Sequence, residues 1–105
     1  MDLDQLERAV DAFSAMDPFA FPLHYIKLFL EVARRERCTF AELEEALSVT
    51  GGSVSRSVAA LSETNRFGQP GYGLLELHKD PRQPRRYLVM VSPKGKRLLS
   101  QLKRA

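Results

Sequence analysis

The sequence predicts a mainly α fold with one small β-hairpin, and three observations carry the prediction. Apolar residues recur at intervals of three and four through most of the chain. A glycine pair, Gly51 and Gly52, interrupts that periodicity between two short helical stretches. Near the C-terminal end, two apolar runs, Leu74 to Leu77 and Tyr87 to Val91, flank a Pro- and Arg-rich segment, as paired strands flank their tip. The chain has 105 residues, of which 44% are hydrophobic. That suffices for one compact core and is too little for two ordinary domains, so one domain is expected over 1–105.

In chain order, Asp2 to about Met16 places Leu3, Leu6, Val10 and Phe13 on one stripe with acidic residues between them. This is an extra N-terminal amphipathic helix within 1–17. Asp17-Pro18 ends it, because proline disfavours helix at the residue before it, and Phe19 to Pro22 reads as a short apolar linker. Pro22 suits the first turn of the next helix, Leu23 to about Arg37. Ile26, Phe29, Leu30 and Ala33 line one face of it, and Tyr25, Leu28 and Val32 line a second. A helix apolar on two sides must be covered twice: once by its own domain, and once by the first helix of this chain or of a partner subunit.

Thr39 followed by Glu42 matches a capping box and opens a helix that carries Phe40, Leu43 and Leu47. Ser48 to Gly52 reads as a tight turn, after which Ser53 to about Thr64 is helical again. Arg66 to Gly73, with three glycines and a proline, is a loop. The two strand-like runs follow, separated by Asp80 to Arg86 as a hairpin with a long tip. Ser92-Pro93 then caps a short C-terminal helix with Leu98, Leu99 and Leu102 as its apolar stripe. The core of the fold is expected over 22–103.

Charge is segregated along the chain. Met1 to Thr50 holds ten acidic and five basic residues, net −5, and Gly51 to His78 is neutral. From Lys79 to Ala105 nine cations stand against Asp80 alone, net +8, the pattern of a surface that faces a polyanion. Several function classes fall away. No apolar run approaches the roughly 20 residues of a membrane span, and Met1-Asp2-Leu3-Asp4 lacks a basic leader, so a cytoplasmic protein is expected. Cys38, the lone cysteine, cannot form an internal disulfide and reads as a buried structural residue. No Cys/His cluster has metal-ligand spacing, and no catalytic triad, phosphate loop or carboxylate pair is present. No metal, cofactor or enzymatic activity is expected.

Helix, turn, helix and cation-tipped hairpin, in that order, are the parts of a winged helix-turn-helix, an α+β fold. On the second helix, 53–64, a step of about 100° per residue turns Val54, Val58 and Leu61 inward and leaves Ser53, Ser55, Arg56, Ala59 and Ala60 outward. Short outward side chains let a helix backbone approach base edges in a major groove about 12 Å wide. Arg56 is the long cation on this face and the candidate for base readout, with Ser53 and Ser55 as phosphate donors. In the hairpin tip, 79–86, Lys79, Arg82, Arg85 and Arg86 surround Pro81 and Pro84. Arginines on a stiff loop suit the concentrated negative potential of a minor groove. The expected partner is double-stranded DNA.

Thr39 to Leu99 resembles the DNA-binding lobe of the MarR family, as a short and divergent example. Ser53-Val54-Ser55-Arg56 is similar to the start of that family's recognition helix, and Gly73-Leu74-Leu75-Glu76-Leu77 to its first wing strand. The distance from Asp80-Pro81 to Ser92-Pro93-Lys94-Gly95 matches the spacing to its closing Thr-x-x-Gly turn, with Ser92 in place of threonine. The resemblance implies a transcription regulator: a homodimer that reads a pseudo-palindromic operator as a repressor. It also implies a dimer interface of terminal helices, for which Leu3, Leu6, Val10 and Phe13 are the candidates. A small-molecule effector remains open. Gln83 and Arg85 stand where the family carries an Asp-x-Arg pair, so no carboxylate is expected to orient the wing arginine; Arg66 to Tyr72 reads as an insertion. The alternative, from the fold alone, is a winged-helix protein-interaction module.

Overall fold

The computed structural model describes residues 1–17, 20–62 and 71–105. Among these the elements are α1 (Leu3–Ser14), α2 (Leu23–Arg35), β1 (Arg37–Thr39), α3 (Phe40–Leu47), α4 (Gly51–Leu61), β2 (Leu75–Asp80), β3 (Gln83–Val91) and α5 (Pro93–Arg104). The architecture is the winged helix-turn-helix α+β fold that the sequence predicts. No described helix is long and apolar enough to cross a membrane.

Side-chain caps set where most helices begin. The Asp2 carboxylate accepts from the Gln5 backbone N–H at 2.8 Å while the Gln5 side chain accepts from the Asp2 N–H, a reciprocal box that opens α1. Thr39 and Glu42 do the same for α3, at 3.2 and 2.8 Å. Ser92 Oγ accepts from the Gly95 N–H at 3.0 Å to start α5, with Pro93 in the first turn.

The core gathers around α2, whose Leu28, Phe29 and Val32 are at most 1% exposed. Leu43 of α3, Val54, Val58 and Leu61 of α4, Leu75 of β2, Val89 and Val91 of β3 and Leu98 of α5 close around it. Phe13 of α1 joins this core, its ring 5.6 Å from that of Phe21 and edge-on to Phe29 at 6.3 Å. Burying such a side chain is worth roughly 1.5–3 kcal/mol. The expected stripe is thereby divided: Phe13 is taken into the chain's own interior, while Leu3, Leu6 and Val10 remain exposed.

The sheet is antiparallel with order β1-β3-β2. It departs from the expected two-stranded hairpin in two ways. First, Arg37 to Thr39, read as helix end and cap, pair with Met90 to Leu88 as a third strand. The helix stops at Arg35 because Glu36 takes φ 68°, a turn that releases the chain toward a partner some fifty residues later and leaves no local signal. Second, β2 and β3 run outward to Asp80 and inward from Gln83, so the long tip shrinks to the two-residue turn Pro81-Arg82. The outer half of this ribbon is exposed on both faces, so no apolar alternation marks it as strand. Pro84 lies in the bulge between the pairs Lys79↔Tyr87 and Asp80↔Gln83, where its missing N–H forfeits no ladder bond.

Helix α4 also differs from the expected 53–64. It starts at Gly51, because Thr50 caps it by accepting from the Ser53 N–H at 3.2 Å, which draws both glycines of the supposed turn into its first turn. It ends at Leu61: Ser62 is extended and bridges to Leu75, and the Leu61 carbonyl accepts from the Leu74 N–H at 2.7 Å. Glu63 and Thr64, most of the loop from Arg66, and the linker residues Pro18 and Phe19 lie outside the described residues.

Candidate nucleic-acid interface

The outward residues of α4 are organised from beneath. Val54, Val58 and Leu61 are at most 1% exposed and hold the helix against α2 and α3. The opposite side therefore faces solvent: Ser55 and Arg56 are exposed, with Ser53 and Ala59 half-buried at its margins. Arg56 lies back along its own helix toward Gly52, where a Cβ would stand 3.3 Å from its Nη1. Gly52 is exposed and lies beside the guanidinium, so it is part of this surface. The sequence reading passed over it because a glycine beside a turn was already explained as turn chemistry.

On the wing, Lys79, Arg82, Arg85 and Arg86 are all exposed at or near the two-residue turn. Arg86 is not free. Its Nε and Nη2 donate to Asp80 Oδ2 at 2.8 and 2.5 Å, while Asp80 Oδ1 accepts from the Arg82 backbone N–H at 2.9 Å. Asp80 is only 6% exposed. The Arg82 N–H first, and then the Arg86 guanidinium, hold its carboxyl below the usual carboxylate range. This corrects the expectation that no carboxylate orients a wing arginine. The carboxylate is Asp80 and its partner is Arg86, one bridge across the ribbon, rather than a pair at 83 and 85. A single acid among cations just before a tight turn was the available signal. Asp80 is the only acidic side chain from Lys79 to Ala105, and it is turned inward and neutralised.

The wing is rooted by a close approach. Ser92 Oγ donates to the Gly73 carbonyl at 2.5 Å, and the Ser92 N–H donates to the Leu74 carbonyl at 3.0 Å. At Gly95 a Cβ would collide with that Leu74 carbonyl and with Val91, which is why the closing turn ends on glycine. Cys38, paired with Val89 in the sheet, is 2% exposed, and burial pushes its thiol up to about 11. At α2 and α3, Glu31 binds Arg34 and Arg35 at 2.7 Å each, and Arg35 reaches Glu42 at 3.5 Å. The Arg35 and Arg34 hydrogen bonds lower Glu31, and the Thr39 N–H lowers Glu42.

By sequence, no family profile matches this chain and no curated protein is recognisably similar. Solved structures are. A MarR mutant from E. coli complexed with operator DNA aligns with a TM-score of 0.69 at 19% identity, over 94% of this chain and 65% of its own. Wild-type E. coli MarR in its apo form aligns equally well, covering 99% of this chain and 75% of its own at 19% identity. A MepR mutant from S. aureus bound to an oligodeoxyribonucleotide reaches a TM-score of 0.72 at 16% identity, over 95% and 66% of the two chains. The fold is MarR-like. The MarR-like likeness takes in the terminal helices as well as the lobe from Thr39 to Leu99, though this chain spans only 65% of the DNA-bound MarR.

Proposed function

We propose that this chain is a double-stranded-DNA-binding transcription regulator that acts as a homodimer and represses by occupying a pseudo-palindromic operator. Helix α4 enters the major groove, with Arg56 reading base edges and Ser53, Ser55 and Ala59 allowing close approach. The wing tip lies along the adjacent minor groove, with Lys79, Arg82 and Arg85 toward phosphates and sugar edges. The observation that carries this reading is the inward turn of Asp80, which leaves the surface side chains from Lys79 onward cationic or neutral. Support also comes from fold neighbours solved with operator DNA and with an oligodeoxyribonucleotide. For the dimer, Leu3, Leu6 and Val10 of α1 stay 83%, 48% and 52% exposed, an apolar stripe that a second copy would cover.

Selection of bound duplexes from a random pool, with the solution mass measured alongside, tests the proposal. The expected result is a palindromic consensus with half-sites about one helical turn apart and twice the chain's mass. On the recovered duplex, Arg56→Ala should cost roughly 1–3 kcal/mol of discrimination, while wing substitutions weaken all sequences alike. Absence of binding at low salt would refute it. The same exposed α1 stripe favours the second reading, a docking module, which predicts a stoichiometric protein partner and no duplex affinity.

A further inference from the structure

A small groove of about 60 Å³ opens between α2 and α4, bordered by His24 and Lys27 on α2 and by Val49, Ser53 and Ser57 on the helix-turn-helix side. Ser57 marks it as unusual. A helical serine commonly returns its hydroxyl proton to the carbonyl four residues before it. Ser100 of α5 does so to Lys96 at 3.2 Å, and Ser62, the extended residue that closes α4, gives its proton to the Val58 carbonyl at 2.6 Å. Ser57 is only 3% exposed, yet among the described residues its hydroxyl has no partner. That oxygen is not sealed from solvent, and Ser57 is among the residues that line the groove. Lys27 and His24 lie three residues apart on one exposed face of α2, and neither forms an ion pair among the described residues.

The polar side chains around the groove are therefore an ammonium, an imidazole and two hydroxyls, all able to donate. A phosphodiester oxygen is an acceptor only and matches that set. The terminus of α4 is not itself the anion seat, because the Glu44 carboxylate already faces Gly51, 2.7 Å from where its Cβ would be. We propose that this groove seats one backbone phosphate of bound DNA, with Lys27 and His24 donating from α2 and Ser53 and Ser57 from α4. The inference rests on the DNA-binding reading and adds α2 to a footprint otherwise made of recognition helix and wing. A phosphate held between the two helices sets how deep α4 sits in the groove, a positioning role that carries no base information.

Fluorescence anisotropy over a salt series, on a duplex recovered by selection, tests it. The His24→Ala/Lys27→Ala protein alters exposed side chains only, so its melting temperature should match that of the unaltered chain. Its affinity should fall on every sequence, and its log–log salt slope should shrink by about 1. Duplexes carrying one neutral methylphosphonate locate the contact: the unaltered chain should lose affinity at one position per half-site, and the double variant should be indifferent there. Ser57→Ala should weaken the same position without changing stability. An unchanged slope, no position whose penalty disappears in the double variant, or full affinity in Ser57→Ala would overturn the phosphate seat while leaving DNA binding intact. Failure of the unaltered chain to bind any duplex would instead overturn the DNA reading beneath it.

Discussion

Helix α4 and the wing present the two halves of the candidate surface, and they are held by different physics. Beneath α4 lie Val54, Val58 and Leu61, fully buried, so the helix is fixed by apolar packing and its outer face is free to be small and polar. The outer wing has no core beneath it. From Leu77 to Tyr87 every side chain but Asp80 is exposed, and the ribbon is shaped by backbone pairing and the bridge from Asp80 to Arg86 and the Arg82 N–H. A helix seated on a core keeps its geometry when charges change, whereas a ribbon braced by one carboxylate does not.

The largest expected effect lies on the packed side. Leu61→Ala should remove about 2–5 kcal/mol of global stability, read from urea unfolding. A loss of less than about 1 kcal/mol would mean that α4 is not anchored from beneath. On the braced side, Asp80→Ala should leave the unfolding midpoint almost unchanged and still weaken duplex binding several-fold, because Arg86 is released and the turn at Pro81-Arg82 loosens. Counting charge alone predicts the opposite, tighter binding after loss of an acid, so the sign of the change separates the two accounts.

The smallest effect is in acid. Asp80, Glu42 and Glu31 are all lowered in the folded chain. Each contributes stability that is complete above the free carboxylate range, near pH 4, and is lost as pH falls through its lower folded value. Below about pH 4 the wing should loosen before α4 does, seen as loss of the Arg82 amide's protection in NMR while the α4 amides stay protected. Simultaneous loss would show that wing and helix form one cooperative unit.

Much of the fold was legible because burial leaves a periodic trace. The inward residues of α2, α3 and α4 and the stripe of α5 were readable as spacing, and the box at Thr39 and the cap at Ser92 as helix starts, since both are local. The surface residues of α4 followed by subtraction. What escaped was non-local or unmarked by burial. The third strand exists because Cys38 meets Val89 across the fold, and Phe13 left its stripe because Phe21 and Phe29 offered it a pocket. The bridge from Asp80 to Arg86 spans a turn whose tightness was not apparent.

By itself, then, the amino-acid order determined the helices, their caps and the crowding of cations after Lys79, because a helix is written in neighbours three and four residues apart and charge is carried by composition. Tertiary structure decided which of those cations is bridged, where α4 begins and ends, and that His24, Lys27 and Ser57 border one groove. These depend on contacts between segments distant in sequence, whose energy no single segment encodes.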